Sequence, residues 1–251
     1  MSTRADDWDQ HWLDFSAVSE SAPATKYRRH LAFQLLDVDA NDPTVRMLEI
    51  GSGTGKFAED FCARYRQSKF LGIELSRMGV EMSLRRVPSA RFIKRDLLLP
   101  SEPGQVFDFQ ATHALCSEVL EHVDEPDVLL RNAMAYMGPN CKFVVTVPGG
   151  HRNKFDEYVG HRRHFTPEHL KELLTDTGFD VKCVYAAGFP FFNLYRLLTT
   201  LRGKKLIQEV SGTPSSIVRI GTLVFDVLFR FNLLQKWGWQ TLAVARYHGR
   251  S

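Results

Sequence analysis

"LEIGSGTGKFAE", residues 48–59, is the stretch on which the fold turns. An apolar run, Val45–Ile50, leads into it, and Gly51, Gly53 and Gly55 stand two apart. A helical pattern, Lys56–Tyr65, follows. Glycine accepts backbone angles that a side chain forbids and lets a ligand or another backbone come close. A strand that passes through such a loop into a helix sets the loop at the carboxyl end of a sheet, where open α/β sheets bind ligands. A dinucleotide site would need G-x-G-x-x-G, with the helix N-terminus facing a pyrophosphate. Lys56 occupies the place of that third glycine. The spacing present, E-x-G-x-G-x-G from Glu49, suits a ligand without phosphate that is held by close backbone contact.

Outward from this loop, short apolar runs alternate with helical periodicity. Strands are predicted at Lys69–Leu75, Arg91–Lys94, Phe107–Leu115 and Cys141–Val147, and helices at Arg77–Arg86 and Pro126–Tyr136, the latter capped by Asp124. Thr166 followed by Pro167 starts another helix, which Gly178 ends. Asp180–Ala186 and residues 239–247 read as the last strands. Alternation of this kind implies right-handed crossovers and a Rossmann-like, mostly parallel sheet covered on both faces. Ahead of the first strand, residues 1–23 read as a loosely structured arm and 24–37 as a helix, so that 1–40 forms an N-terminal arm and helix. Residues 189–238 form a helical insertion, a substrate cap within one domain of residues 1–251.

Bulk properties exclude several classes. A chain of 251 residues, 44% hydrophobic and 24% charged, is ordinary for a globular domain with an elaboration. A net charge of +3 does not argue for a nucleic-acid partner. Cys62, Cys116, Cys141 and Cys183 are scattered without paired spacing, which reads as reduced and intracellular. The polar start "MSTRADDWDQHW" is no signal peptide, and no apolar run is long enough to span a bilayer. The localisation expected is cytoplasmic.

The acidic residues sharpen the picture. Glu74 ends the second strand, where a carboxylate can accept both hydroxyls of a ribose. Asp96 ends the third, in "FIKRDLL", and can accept from an adenine amino group. Ser117 and Glu118 follow the fourth strand. Each alone reads equally well as a solvated loop residue or a helix cap; the ordered set points to one crevice. In "LEIGSGTGKFAE", "GIELS", "FIKRDLL", "CSEVLEHVDEPD" and "FVVTVPGG", the chain resembles the class I S-adenosylmethionine-dependent methyltransferases from about Val45 to Gly188. The closing "WQTLAVAR" fits that family's last, antiparallel strand, which makes seven. "SEVLEHV" with "HRRHFTPEHLKELLTDTGF" looks like the small-molecule subgroup that contains the ubiquinone-pathway O-methyltransferases. The resemblance implies S-adenosylmethionine as cofactor and S-adenosylhomocysteine as product. It places Gly51, Ser52, Gly53 and Gly55 along the methionine part, with Glu49 at the amino-acid end. Glu74 and Leu75 fall at the ribose, Asp96 and Leu97 at the adenine, and Ser117 and Glu118 near the sulfonium.

A sulfonium is already a strong methyl donor, so the protein must orient a nucleophile in line with the S–CH₃ bond and keep water out. Orientation alone can supply roughly 7–11 kcal/mol in favourable systems. If the acceptor is a hydroxyl, a general base adds about 10²–10⁴-fold, and histidine suits that task. The candidates are His161 and His164 in "GHRRHFTPEHL", and His122 in "LEHV", which reads first as scaffold. His161 and His164 could instead pair with Asp156 and Glu157. No further ligand stands at a familiar metal spacing, so no metal is expected.

"SSIVRIGTLVFDVLFRFNLLQKW" in the insertion is apolar around most of a helix, with Arg219, Asp226 and Arg230 on one stripe. Three burials stand open: a lid over the site, a homodimer interface, or peripheral membrane contact through 190–235 with Arg202, Lys204 and Lys205 at headgroups. The acceptor expected is a bulky, fairly apolar small molecule, methylated on oxygen. N- or C-methylation of a small molecule, or a non-catalytic binder of the cofactor, are the alternatives. The chain lacks the Asn/Asp-Pro-Pro-Tyr-type motif of base-methylating relatives and a long basic patch.

Overall fold

The structure is a computed structural model that describes residues 7–100, 107–210, 216–234 and 236–249. Seven strands form one sheet in the order β3-β2-β1-β4-β5-β7-β6. β1 (Arg46–Ile50) lies at its centre, with β2 (Lys69–Glu74) and β4 (Ala111–Ser117) on either side, both parallel. β3 (Arg91–Lys94) extends the sheet beyond β2, and β5 (Met137–Pro148) continues it in parallel beyond β4. β7 (Gln240–Tyr247) runs antiparallel between β5 and β6 (Asp180–Ala187), as the closing strand of the sequence led one to expect.

Strand periodicity sorts the core into two layers. Leu48 and Ile50 of β1, Ala114 and Cys116 of β4, and Phe143, Val145 and Val147 of β5 face α5 (Pro126–Ala133) and α7 (Pro167–Asp176). The intervening Met47, Leu115 and Val144 face α2 (Pro23–Leu36) and α3 (Lys56–Arg64), where Phe57 and Phe61 pack. α4 (Arg77–Arg86) lies beside α3 and is capped by the Ser76 hydroxyl, which accepts from the backbone N of Gly79. Thr166 caps α7 in the expected way, accepting from the backbone N of His169. All four cysteines are free thiols.

Three local expectations change. The segment expected as a loose arm holds a helix, α1 (Trp8–Ser21), while residues 1–6 of it lie outside the described residues. The helix is held from outside itself, Asp9 accepting from the Ser76 hydroxyl and the Met78 backbone N, and Glu20 pairing with Arg86 and Thr54. β4 begins at Ala111 rather than Phe107, because Gln110 sits at φ 45, a left-handed conformation that no strand continues through. Asp124 does not cap α5. That helix starts on Pro126, whose fixed φ suits the first helical position, and Asp124 instead pairs with Arg162.

The insertion is helical. α8 (Phe191–Val210) and α9 (Ser216–Leu228) pack Phe192, Tyr195, Phe225 and Phe229 against Tyr27 and Leu31 of α2, at the end of β6 and β7. Lys26 pairs with Asp226 at 2.6 Å. The expected stripe therefore faces α2 through Asp226, while Arg230 is exposed. The side chains of Arg202, Lys204, Lys205 and Arg219 lie outside the described residues. Leu197, Leu201, Ile220 and Val227 stay exposed on the two helices. Among the described residues no helix is long and apolar enough to cross a membrane.

Candidate active site

Strand order reverses beside β1, so the carboxyl ends of β1, β2 and β4 open a crevice. α1, α2 and α8 wall it in, and the resulting cavity measures about 1110 Å³. The glycine loop forms its floor. Gly51, Gly53 and Gly55 all have positive φ, at 71°, 54° and 76°. Two of them serve the fold: a Cβ on Gly51 would lie 2.3 Å from Cγ2 of Val119, and one on Gly55 2.9 Å from the Cα of Ser83. Gly53 instead faces the indole of Trp12, 3.0 Å from where its Cβ would stand. α1 thus lies directly over the loop.

Glu74 is buried at the end of β2 and fastens this loop. Its Oε2 accepts from the backbone N of Gly53 at 2.7 Å, and its Oε1 from that of Ser76 at 2.9 Å. Burial raises its pKa, and those two amides oppose the rise. Glu49 is also buried on the cavity wall, and its Oε2 has no partner among the described residues. Burial, then the charge of Glu74, push its carboxyl well above the usual range, against the pull of Arg29. The Ser52 hydroxyl is buried too and has no partner among the described residues.

The other expected residues fall as follows. Leu75, Leu97, Ser117 and Glu118 line the cavity. Asp96 turns its Oδ1 to the backbone N of Leu98 at 2.8 Å, and the described wall there consists of Arg95, Leu97 and Leu98. Ser117 bonds Thr146 at 2.8 Å. Glu118, at φ 57, accepts from Gln240 at 2.8 Å and meets Nε of Arg28 at 3.4 Å, tying α2 to the sheet.

The histidines converge. His122 and His161 both line the cavity, with ring centroids 4.8 Å apart, edge to face. Trp8 packs on the other side of His122, also at 4.8 Å. His164 stands behind His161. Its Nδ1 lies 3.1 Å from the carbonyl of Gly150, so that nitrogen carries the proton. Its Nε2 then accepts from Nδ1 of His161, 3.2 Å away, and the lone pair of His161 is left on Nε2. Burial disfavours the charged form of all three rings, lowering His161 to about 2, His122 to about 4, and His164 below its ordinary value against the pull of Asp156. Asp156 lies 3.8 Å from His161 and 3.6 Å from His164, with both its oxygens held by Nη2 of Arg196 at 2.9 and 2.8 Å.

Sequence reasoning passed over Glu121. It is fully buried, and neither carboxylate oxygen has a partner among the described residues. Burial and then Glu118 drive its pKa well upward. The signal was its place next to His122 in "LEHV". No metal was expected, yet the fold gathers two ligand sets: Glu121, His122 and His161; and Asp156, His161 and His164. Each has its ligand atoms within 4.8 Å of one another.

A family model described as a methyltransferase domain matches residues 22–184, more than half of the chain, and the chain belongs to that family. No curated protein matches it significantly by sequence. Among solved structures, the geranyl diphosphate C-methyltransferase of Streptomyces coelicolor A3(2), in complex with Mg2+, geranyl diphosphate and S-adenosyl-L-homocysteine, is similar with a TM-score of 0.56 at 17% identity, over 88% of this chain and 77% of that one. The phosphoethanolamine N-methyltransferase 2 of Haemonchus contortus, in complex with S-adenosyl-L-methionine, scores 0.59 at 16% identity, over 96% and 57%. The cyclase SpnF scores 0.58 at 17%, over 87% and 80%. At these identities the likeness is one of fold.

Proposed function

We propose that the protein transfers a methyl group from S-adenosylmethionine to a hydroxyl of a bulky, fairly apolar small molecule, releasing S-adenosylhomocysteine. The observation that carries this reading is the unpartnered, buried Oε2 of Glu49 on the cavity wall beside the glycine loop. Such a group calls for a cationic donor, and the cofactor's ammonium is one; a nucleotide phosphate would be repelled there. Glu74 keeps lone pairs free for the ribose hydroxyls even while it holds Gly53 and Ser76. Leu75 and Leu97 offer the adenosine apolar contact, with Asp96 next to Leu97 for the adenine, and Ser117 and Glu118 stand where β4 ends. Trp12 lies over Gly53, where its indole would shield a bound cofactor from water.

The cofactor supplies an activated methyl on sulfur. The chain supplies position and proton handling. A pocket for one ligand is typically about 300–1,000 Å³, and this cavity exceeds that range, which supports a second molecule beside the cofactor. On that side Trp8, Phe192, Tyr195 and Leu223 line it, which favours an apolar acceptor under α8 and α9 as the cap. His161 brings an Nε2 lone pair to the wall, and the bond from its Nδ1 to His164 fixes that tautomer. Asp156 stands close enough to favour positive charge on the pair as the acceptor proton arrives. The exposed apolar side chains Leu197, Leu201, Ile220 and Val227 of α8 and α9 support peripheral membrane contact while a lipophilic acceptor is taken up, which co-flotation with vesicles tests.

The test pairs titration calorimetry of S-adenosylhomocysteine with transfer of labelled methyl to phenolic and prenylated hydroxyl compounds. Binding with hydroxyl-dependent transfer supports the reading. Label on carbon or nitrogen instead would replace the O-methyl assignment. Tight binding with no transfer to any acceptor would favour a cofactor binder without methyl transfer.

A further inference from the structure

We propose that Glu121, His122 and His161 form a binding site for one zinc-class divalent cation in the wall of the cavity, with an open coordination position toward the acceptor. The inference rests on the reading of that side of the cavity as the acceptor's. One ligand atom from each of the three residues lies within 4.8 Å of the others. Around a tetrahedral ion with bonds of about 2.0–2.1 Å, ligand atoms stand roughly 3.3 Å apart. Closing the set from the 4.8 Å limit therefore takes side-chain movement of about 1–1.5 Å.

Each of the three arrives prepared. Glu121 is fully buried with both oxygens unpartnered among the described residues, a costly state for a carboxylate that the more distant charges of Arg28 and Arg196 oppose without a direct bond. His122 has its Nδ1 buried and likewise unpartnered. His161 donates through Nδ1 to His164, which donates in turn to the carbonyl of Gly150. A metal-ligating histidine is commonly anchored by its second ring nitrogen in this way, leaving the other as the donor to the ion. The alternative set is already committed. Asp156 holds Arg196 with both oxygens and accepts the backbone N of Asn153, while His161 and His164 bond each other.

Two imidazoles and one carboxylate favour zinc, cobalt or nickel over magnesium or calcium, which take oxygen ligands. Arg28 and Arg196, the cations near Glu121, are neutralised by Glu118 at 3.4 Å and Asp156 at 2.8 Å. Three protein ligands leave a fourth position. An acceptor hydroxyl that takes it forms an oxygen–metal bond and releases its proton to solvent, and the resulting oxyanion is the nucleophile. On this account the lone pair of His161 serves the cation, and the cation takes over deprotonation of the acceptor.

The experiment uses the untagged full chain, stripped with a chelator and titrated with Co2+. The wild type should take up one Co2+ per chain with visible d–d absorption of a low-coordinate N/O site, displaced by Zn2+. Glu121→Gln/His122→Ala should lose that spectrum while S-adenosylhomocysteine still binds, which shows that the variant is folded. His164→Ala should keep the stoichiometry with about 10–100-fold weaker affinity, as a lost anchoring bond does. A wild type that binds S-adenosylhomocysteine but no Co2+ overturns this proposal alone, as does a Co2+ spectrum that survives in the double variant. Failure to bind S-adenosylhomocysteine would instead overturn the functional reading.

Discussion

Replacing Glu49 by Gln separates what this carboxylate does for the cofactor from what it does to the fold. The side chain is buried, its Oε2 has no partner among the described residues, and Glu74 adds like charge nearby. A hydrogen bond to a charged partner contributes about 1.5–3 kcal/mol. Glu49→Gln should therefore weaken S-adenosylhomocysteine by roughly 10–150-fold, as read by calorimetry near pH 7.5. Stability of the cofactor-free chain moves the other way. The folded pKa of Glu49 lies above its unfolded value of about 4.3, so between the two the folded chain keeps a proton that the unfolded chain releases. The wild type is accordingly at its most stable, with respect to this group, below the unfolded pKa, and loses that stability as pH climbs through the folded one. Glutamine has nothing to lose. The melting temperature of the variant should match the wild type near pH 4.5 and exceed it near pH 8, each kcal/mol relieved appearing as about 2–4 °C for a chain of this size. A gap that stays constant with pH, or a variant that binds the product within about 3-fold of the wild type, would refute the reasoning.

Other outcomes follow from the same geometry. Gly51→Ala forces a side chain into the left-handed region, at about 1–2 kcal/mol, and sets a Cβ 2.3 Å from Val119. The urea midpoint should fall, and Val119→Ala should restore the clash portion only. Phe61→Ala empties a fully buried site between sheet and helix and should cost about 3–5 kcal/mol by urea unfolding. Trp12→Ala uncovers Gly53, and stopped-flow should show faster product release with weaker binding, by about 10-fold. His161→Ala should lower turnover by about 10²-fold or more while leaving product affinity within about 3-fold; unchanged turnover would remove His161 from the chemistry.

The loop at 51–55 and the strand end at Glu74 were legible because they rest on local signals, glycine spacing and an apolar run with the residue that closes it, whereas the antiparallel last strand was legible only through the family resemblance. α1 was not, since its ties to Ser76, Arg86 and Thr54 are distant in sequence and its own pattern is polar. The start of β4 was misplaced because Phe107 and Phe109 extend the apolar run across Gln110, whose left-handed angle leaves no mark in composition. Glu121 escaped for a related reason. An acidic residue in a short loop reads as solvated until the fold shows it buried next to two histidines, one of them far along the chain.

The central claim, that the crevice at the ends of β1 and β2 takes an adenosyl sulfonium rather than a nucleotide phosphate, meets its most direct test in calorimetric titration of the purified chain with S-adenosylhomocysteine, NAD and ATP in parallel. The account predicts one equivalent of S-adenosylhomocysteine bound, with no heat from NAD or ATP and affinity lost in Glu74→Ala. Uptake of NAD or ATP at that crevice, with S-adenosylhomocysteine ignored, would contradict it.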